Sequence, residues 1–205
     1  STTHKTLRGP RSGLILSKGI PSNPLVAIDK TIENIPTLID RTVFPGVQGG
    51  PHMNTILAKA VAFDEALRPE FAVYSKQVVK NAKRLADHLM SRGLKLVTNG
   101  TDNHLILVDV MKSYSINGDV AEKTLDSVGL TVNKNIVPDD QEPPFRPSGI
   151  RLGTPAITTR GMKEDQMDEL AEYIVGALES RDQPDQLTRI SAKVKDLALR
   201  FPLPY

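Results

Sequence analysis

The chain contains no cysteine and no tryptophan. The first absence removes a disulfide scaffold, a cysteine-zinc site and a thiol nucleophile from consideration. The second, with aromatics at only 4%, leaves no stacking platform for single-stranded nucleic acid. Charge of one sign is not in excess: 26 basic residues face 24 acidic ones, so there is no basic footprint for nucleic acid. Purely apolar runs end after a handful of residues, far short of the ~20 needed to span a bilayer, so no membrane partner is expected. What remains is 205 residues with 39% hydrophobic side chains. A chain longer than ~150 residues can hide about 70% of its unfolded surface, enough for a real core. The missing cysteines agree with a cytoplasmic chain, and no metal site is expected. The opening run Ser1-Thr2-Thr3-His4-Lys5-Thr6 has no initiator Met, basic region or apolar stretch. It carries no targeting signal and reads like the middle of a fold, so a fragment is expected.

Along the chain, Leu14-Ile15-Leu16 is expected as a short strand between Gly13 and Gly19. Residues 20–43, with Pro21, Pro24 and Pro36, suggest irregular structure with short helical turns. Phe44-Pro45-Gly46-Val47-Gln48-Gly49-Gly50-Pro51 is a Gly-rich turn. A helix follows, with Asn54 as its candidate cap and Ile56, Leu57, Ala60, Val61 and Leu67 at helical spacing. Pro69 breaks it and opens the next, whose stripe runs Phe71, Tyr74, Val78, Ala82, Leu85, Leu89 and stops at Gly93. The period then changes. Residues 94–97, 105–108, 131–132 and 150–152 read as strands, and 117–128 as a short helix with Val120, Leu125 and Val128 inward. A Pro-rich loop covers 138–147. Two amphipathic helices end the chain, carrying Met167, Leu170, Ile174, Leu178 and then Leu187, Ile190, Val194, Leu197. The expected division lies at Gly93, between a helix-rich region over residues 1–93 and a compact α/β region over residues 94–205.

Four places carry side chains with chemical potential. Lys5 sits among hydroxyl residues ahead of Gly9-Pro10-Arg11. Desolvation and the nearby cations His4, Arg8 and Arg11 would lower an amine pKa and make a Schiff-base nucleophile, although a basic strand edge fits the same residues. Gln48-Gly49-Gly50 ahead of a helix could present backbone N–H groups to an anion, or be a plain turn. Arg151, between apolar neighbours on a short strand, suggests a buried fork for a carboxylate, or a structural ion pair. His104, at the end of Asn99-Gly100-Thr101-Asp102-Asn103, is assigned mainly to turn chemistry.

Taken together and in this order, these segments resemble the serine hydroxymethyltransferase family. Residues 1–11 resemble its pyridoxal-phosphate lysine segment. The blocks 44–51, 100–104, 131–135 (Thr-Val-Asn-Lys-Asn) and 149–156 (Gly-Ile-Arg-Leu-Gly-Thr-Pro-Ala) are similar to its other signatures. The resemblance covers the whole chain and corresponds to the C-terminal half of the family's polypeptide. It implies an α/β fragment of a fold-type I pyridoxal-phosphate enzyme, aspartate-aminotransferase-like: the end of the large cofactor domain over 1–93 and the small C-terminal domain over 94–205. Lys5 then stands where the lysine carries pyridoxal phosphate as a Schiff base, with His4 beside it, Thr2 and Thr3 on the same strand and Arg11 close to the cofactor. Gly49 and Gly50 match glycines that reach the cofactor phosphate of a partner subunit. Arg151 matches the arginine that clamps the amino-acid carboxylate. Asn135 and Pro143-Pro144-Phe145 match positions near tetrahydrofolate, where the family usually has Ser-Pro-Phe. Residues 20–43 look like a local insertion. The implied reaction moves the serine hydroxymethyl group to tetrahydrofolate and leaves glycine, in a homodimer or larger assembly. The missing upstream half would leave this chain inactive alone. A related threonine-aldolase-like enzyme, or a non-catalytic scaffold or dimerisation fragment, are the alternatives.

Overall fold

In the computed structural model, residues 1–20 and 31–204 are described, with side chains from Asn34 onward in the second stretch. Pro21, Pro24 and the rest of residues 21–30 of the expected insertion lie outside the described residues. The chain forms two compact units, Ser1–Phe71 and Ala72–Tyr205.

In the first unit the N-terminal segment folds back on itself. An antiparallel bridge joins Thr2 to Gly13. Around it, the Thr3 N–H donates to Ser12 O at 3.0 Å and the Leu14 N–H to Ser1 O at 2.8 Å. Among the described residues no ladder extends through Leu14-Ile15-Leu16, contrary to the expected strand; Ile15 and Leu16 are exposed. Helix α1 (Thr31–Arg41) replaces irregular structure over much of 20–43, with Pro36 inside it. Burial of Asn34 and Thr37 on one face gives tertiary context that overrides the local preference. A wide turn, Thr42–Val47, follows, in which Phe44 and Pro45 leave helical dihedrals. Helix α2 (Met53–Leu67) begins at His52 with no side-chain cap, so Asn54 is a first-turn residue and not the cap. Helix α3 (Pro69–Ser91) crosses the boundary between the units, and it is helical throughout the 71–89 stripe.

The second unit is a four-stranded antiparallel sheet with helices. Its strands are β1 (Lys95–Leu96), β2 (Leu105–Asp109), β3 (Asn133–Asn135) and β4 (Gly149–Gly153), in the order β1-β2-β4-β3. The helices are α4 (Val110–Tyr114), α5 (Gly118–Ser127), α6 (Pro155–Thr159), α7 (Glu164–Glu179) and α8 (Pro184–Arg200). Period-2 alternation sends Ile106, Val108, Ile150 and Leu152 into one core with Leu85 and Leu89 of α3, Leu125 of α5, and Met167, Val175 and Leu178 of α7. Gly93, at φ +92°, stops α3 as expected. Two expectations shift by local register. Val120 points outward and Ala121 inward on α5. The third strand forms at 133–135 and not at 131–132, because pairing with β4 selects it.

Candidate functional site

Lys5 and His4 lie in the loop that the Thr2–Gly13 bridge closes. Thr3 anchors this loop: its buried hydroxyl donates to Pro10 O at 2.7 Å, and its carbonyl accepts from the Gly9 N–H at 2.8 Å. Gly9 is required there by close approach, since a Cβ would lie 3.0 Å from Thr3 O and 3.2 Å from Ala62 Cβ on α2. Arg8 adopts φ +57° and lies over the Phe71 ring, 5.8 Å from its centre. The loop presents Lys5 and Arg11 to solvent. The desolvation expected around Lys5 is therefore not supplied by the described residues. His4 differs: its Nδ1 is buried with no hydrogen-bond partner among the described residues. Gly49 and Gly50 are exposed, and no atom lies within 4 Å of where a Cβ would project. They lead into the uncapped start of α2, whose first N–H groups are orphan donors.

In the second unit, Arg151 is not buried. Ile150 and Leu152 take the core face of β4, so alternation turns Arg151 to the other face, where it is exposed. Cross-strand register places Leu107 on one side of it and Asn133 on the other. Its guanidinium donates to Asn133 Oδ1 at 3.4 Å, and among the described residues it makes no ion pair with a carboxylate. The structural ion pair considered from the sequence is thus not found among the described residues, and apart from the Asn133 contact the fork keeps donors to offer. Asn135 pairs with Gly149, two residues away on the same face. Its side chain donates to Ile136 O at 2.7 Å. The loop leaving β3 returns past Pro143, Pro144 and Phe145, with Pro144 and Phe145 exposed. Lys134 Nζ donates to Phe145 O at 3.0 Å, and the Arg146 N–H to Pro143 O at 2.8 Å.

The sequence model described as serine hydroxymethyltransferase matches residues 1–174. The chain belongs to the serine hydroxymethyltransferase family. A serine hydroxymethyltransferase of Acidobacterium capsulatum is 49% identical over 203 residues, covering 99% of this chain and 44% of the relative. The chain thus spans less than half the length of that curated relative. The family is a fold-type I pyridoxal-phosphate class, and the mixed α/β architecture with a small antiparallel sheet agrees with it. Among the described residues, no helix is long and apolar enough to cross a membrane.

Sequence reasoning about this serine hydroxymethyltransferase-family chain overlooked two side chains. Asn133 shares a row with Arg151, which only strand register reveals. Asp140 lies inside the Pro-rich loop and accepts four hydrogen bonds: from the Val137 N–H (3.2 Å), the Glu142 N–H (3.0 Å), the Ser148 N–H (2.9 Å) and the Ser148 hydroxyl (2.6 Å). Burial pushes its pKa up, but the hydroxyl of Ser148 and the three backbone donors outweigh that and hold it down at about 2. A sequence signal existed in the Asp-x-Glu spacing of an Asx turn, but the two Ser148 donors come from eight residues away. His104 is turn-associated, as expected: its carbonyl accepts from the Thr154 N–H at 3.2 Å, and Asn103 Oδ1 accepts from the Leu105 N–H at 2.8 Å.

Proposed function

We propose that this chain is the C-terminal region of a cytoplasmic, homodimeric serine hydroxymethyltransferase, which moves the hydroxymethyl group of serine to tetrahydrofolate and yields glycine and methylenetetrahydrofolate. The observation that carries the reading is Arg151. It is held in ladders on both sides, flanked by buried Ile150 and Leu152, and has no carboxylate partner among the described residues. A guanidinium so held, engaged by Asn133 but by no carboxylate among the described residues, suits a substrate carboxylate.

The residues fit pyridoxal phosphate. The Lys5 amine is accessible, the neighbouring His4 Nδ1 is buried without a partner among the described residues, and the open backbone at Gly49 and Gly50 leads to N–H groups that suit the phosphate of a partner subunit's cofactor. Bound there, the cofactor supplies an electron sink for the carbanion left when the serine Cα–Cβ bond breaks. The rest falls to the chain. Lys5 holds the cofactor, and His4 can donate or accept a proton at Nδ1. Arg11 adds positive charge. Arg151 orients the amino acid through its carboxylate, and the edge formed by Asn135 and Pro143–Phe145 borders the folate. Exposure of Leu57, Val61 and Leu67 on α2 and of Phe44 and Val47 before it supports a second copy or further polypeptide covering this face.

The test is borohydride trapping of pyridoxal phosphate on the full-length enzyme, followed by peptide mass mapping. The label should fall on Lys5 and vanish in Lys5→Ala. Label retained in that variant, or serine cleavage indifferent to tetrahydrofolate, would overturn the proposal.

A further inference from the structure

We infer that Asp140 is a positioning residue for the folate side of the reaction, through its clasp on Ser148, and that it leaves the amino-acid side untouched. The inference rests on the proposed function above. Its basis is an asymmetry in how the two sides are held. Arg151 is fixed by backbone ladders to both β2 and β3, independent of any side chain in the loop. The Pro143–Phe145 edge has no ladder. The loop carries turn bonds at Val137 and Pro143, the exposed Lys134 contact and the Gly118 N–H bond to Pro147 O, and it is Asp140 that ties residues 137 and 142 to Ser148. One carboxylate gathers donors from both ends of the loop, Val137 and Glu142 at its start and Ser148 at its end.

Ser148 in turn is anchored to the fold. It is buried, and its carbonyl accepts from the Val110 and Met111 N–H groups at 3.0 and 3.1 Å, at the start of α4. Asp140 therefore transmits a rigid position from the sheet to the exposed loop apex. Only a doubly accepting carboxylate can do this. An amide at the same place would turn one oxygen into an N–H₂ group facing donors, and the loop would lose at least one contact and gain a repulsion.

The experiment compares wild type, Asp140→Asn and Ser148→Ala in the full-length enzyme. Calorimetry of a reduced folate gives Kd, steady-state kinetics give KM for serine and for tetrahydrofolate, and circular dichroism checks folding. Asp140→Asn should raise the folate Kd and KM ~10- to 50-fold, with serine KM and cofactor content within about twofold of wild type. Ser148→Ala, which removes one of the four donors, should raise folate Kd only ~2- to 5-fold. It also serves as the measurement should Asp140→Asn not fold. Serine KM and folate Kd rising in parallel, or folate Kd unchanged in a folded variant, would overturn the inference alone. A wild-type enzyme that binds no reduced folate would remove the proposed function and this inference with it.

Discussion

Substituting Gly118 sets two effects against each other, and the structure decides the sign. Gly118 is the first residue of α5, with a backbone conformation open to any residue, so helix propensity alone predicts that Gly→Ala stabilises by up to ~1 kcal/mol. The tertiary contacts oppose this. The Gly118 N–H donates to Pro147 O at 2.6 Å, drawing the helix start against the backbone that enters β4. A Cβ there would be driven onto the Gly149 carbonyl oxygen and would lie 3.0 Å from Pro147 O. Neither is the flexible end of a side chain. Gly149 cannot retreat easily either, because its own Cβ position is hemmed in by Asn135 O and Val108 O, both at 2.9 Å. Relief needs α5 to move away from the sheet. That costs ~1–3 kcal/mol of overpacking strain plus ~1–2 kcal/mol for the lost backbone bond. Against the propensity gain, the expected net loss is about 1–4 kcal/mol. For a unit of this size it corresponds to a fall in melting temperature of roughly 3–15 °C. Differential scanning calorimetry of wild type and Gly118→Ala measures it directly. A melting temperature unchanged or raised would show that propensity dominates and that the close approach is not as described.

Other consequences follow from the same geometry. His88 bridges α3 and α7, with Nδ1 3.0 Å from Asp168 Oδ1 and Nε2 2.8 Å from Glu172 Oε1, flanked by Arg84 on Asp168 and Arg92 on Glu172. The hydrogen bond with Asp168, then that with Glu172, raises its pKa. Its stabilisation is therefore complete below the unfolded imidazole value of ~6.5 and is lost as pH rises through the higher folded value. Because the pair is partly exposed, His88→Gln should cost about 1 kcal/mol near pH 6, and the gap between the two melting curves should close by pH 9; a constant gap would refute the protonated bridge. Asn81 is fully buried, accepting from Gln77 Nε2 and donating to Thr158 Oγ1 (2.8 Å) and Met162 O (2.9 Å). Asn81→Leu should destabilise by ~2–4 kcal/mol in urea titrations, since it strands the Met162 carbonyl; a loss under ~0.5 kcal/mol would contradict that. Under the proposed function, Arg151→Ala in the full-length enzyme should lower kcat/KM for serine about 30- to 1,000-fold, from ~2–4 kcal/mol of charge-assisted contact, with cofactor content unchanged. Arg151→Lys should recover little of it, and near wild-type KM in either variant would refute the carboxylate clamp.

The longer amphipathic helices were legible in the amino-acid sequence because their determinants are local, whereas α1 and the short α4 and α6 were not. The stripe of Val78, Ala82, Leu85 and Leu89 needs only a 3.6-residue period, and all four are buried. Met167, Leu170, Ile174 and Leu178 on α7 follow the same rule, as does the stop at Gly93. The family was legible for a similar reason, since its signatures are short runs of adjacent residues. What the sequence could not decide was anything set by a partner distant along the chain. Leu14-Ile15-Leu16 has strand composition but finds no second strand among the described residues to pair with. The third strand sits at 133–135 because β4 supplies donors and acceptors in that register. Arg151, expected to be buried, faces outward because its two apolar neighbours claim the core and a pleated strand must alternate. The bridge at His88 arises only when two helices 80 residues apart align Arg84, His88 and Arg92 opposite Asp168 and Glu172, each series spaced by one helical turn. Asp140 looks like one more acidic residue in a Pro-rich loop until the chain brings Ser148 back to it. Period and composition are properties of a segment; register, burial and hydrogen-bond closure belong to pairs of segments, and folding alone makes the pairs.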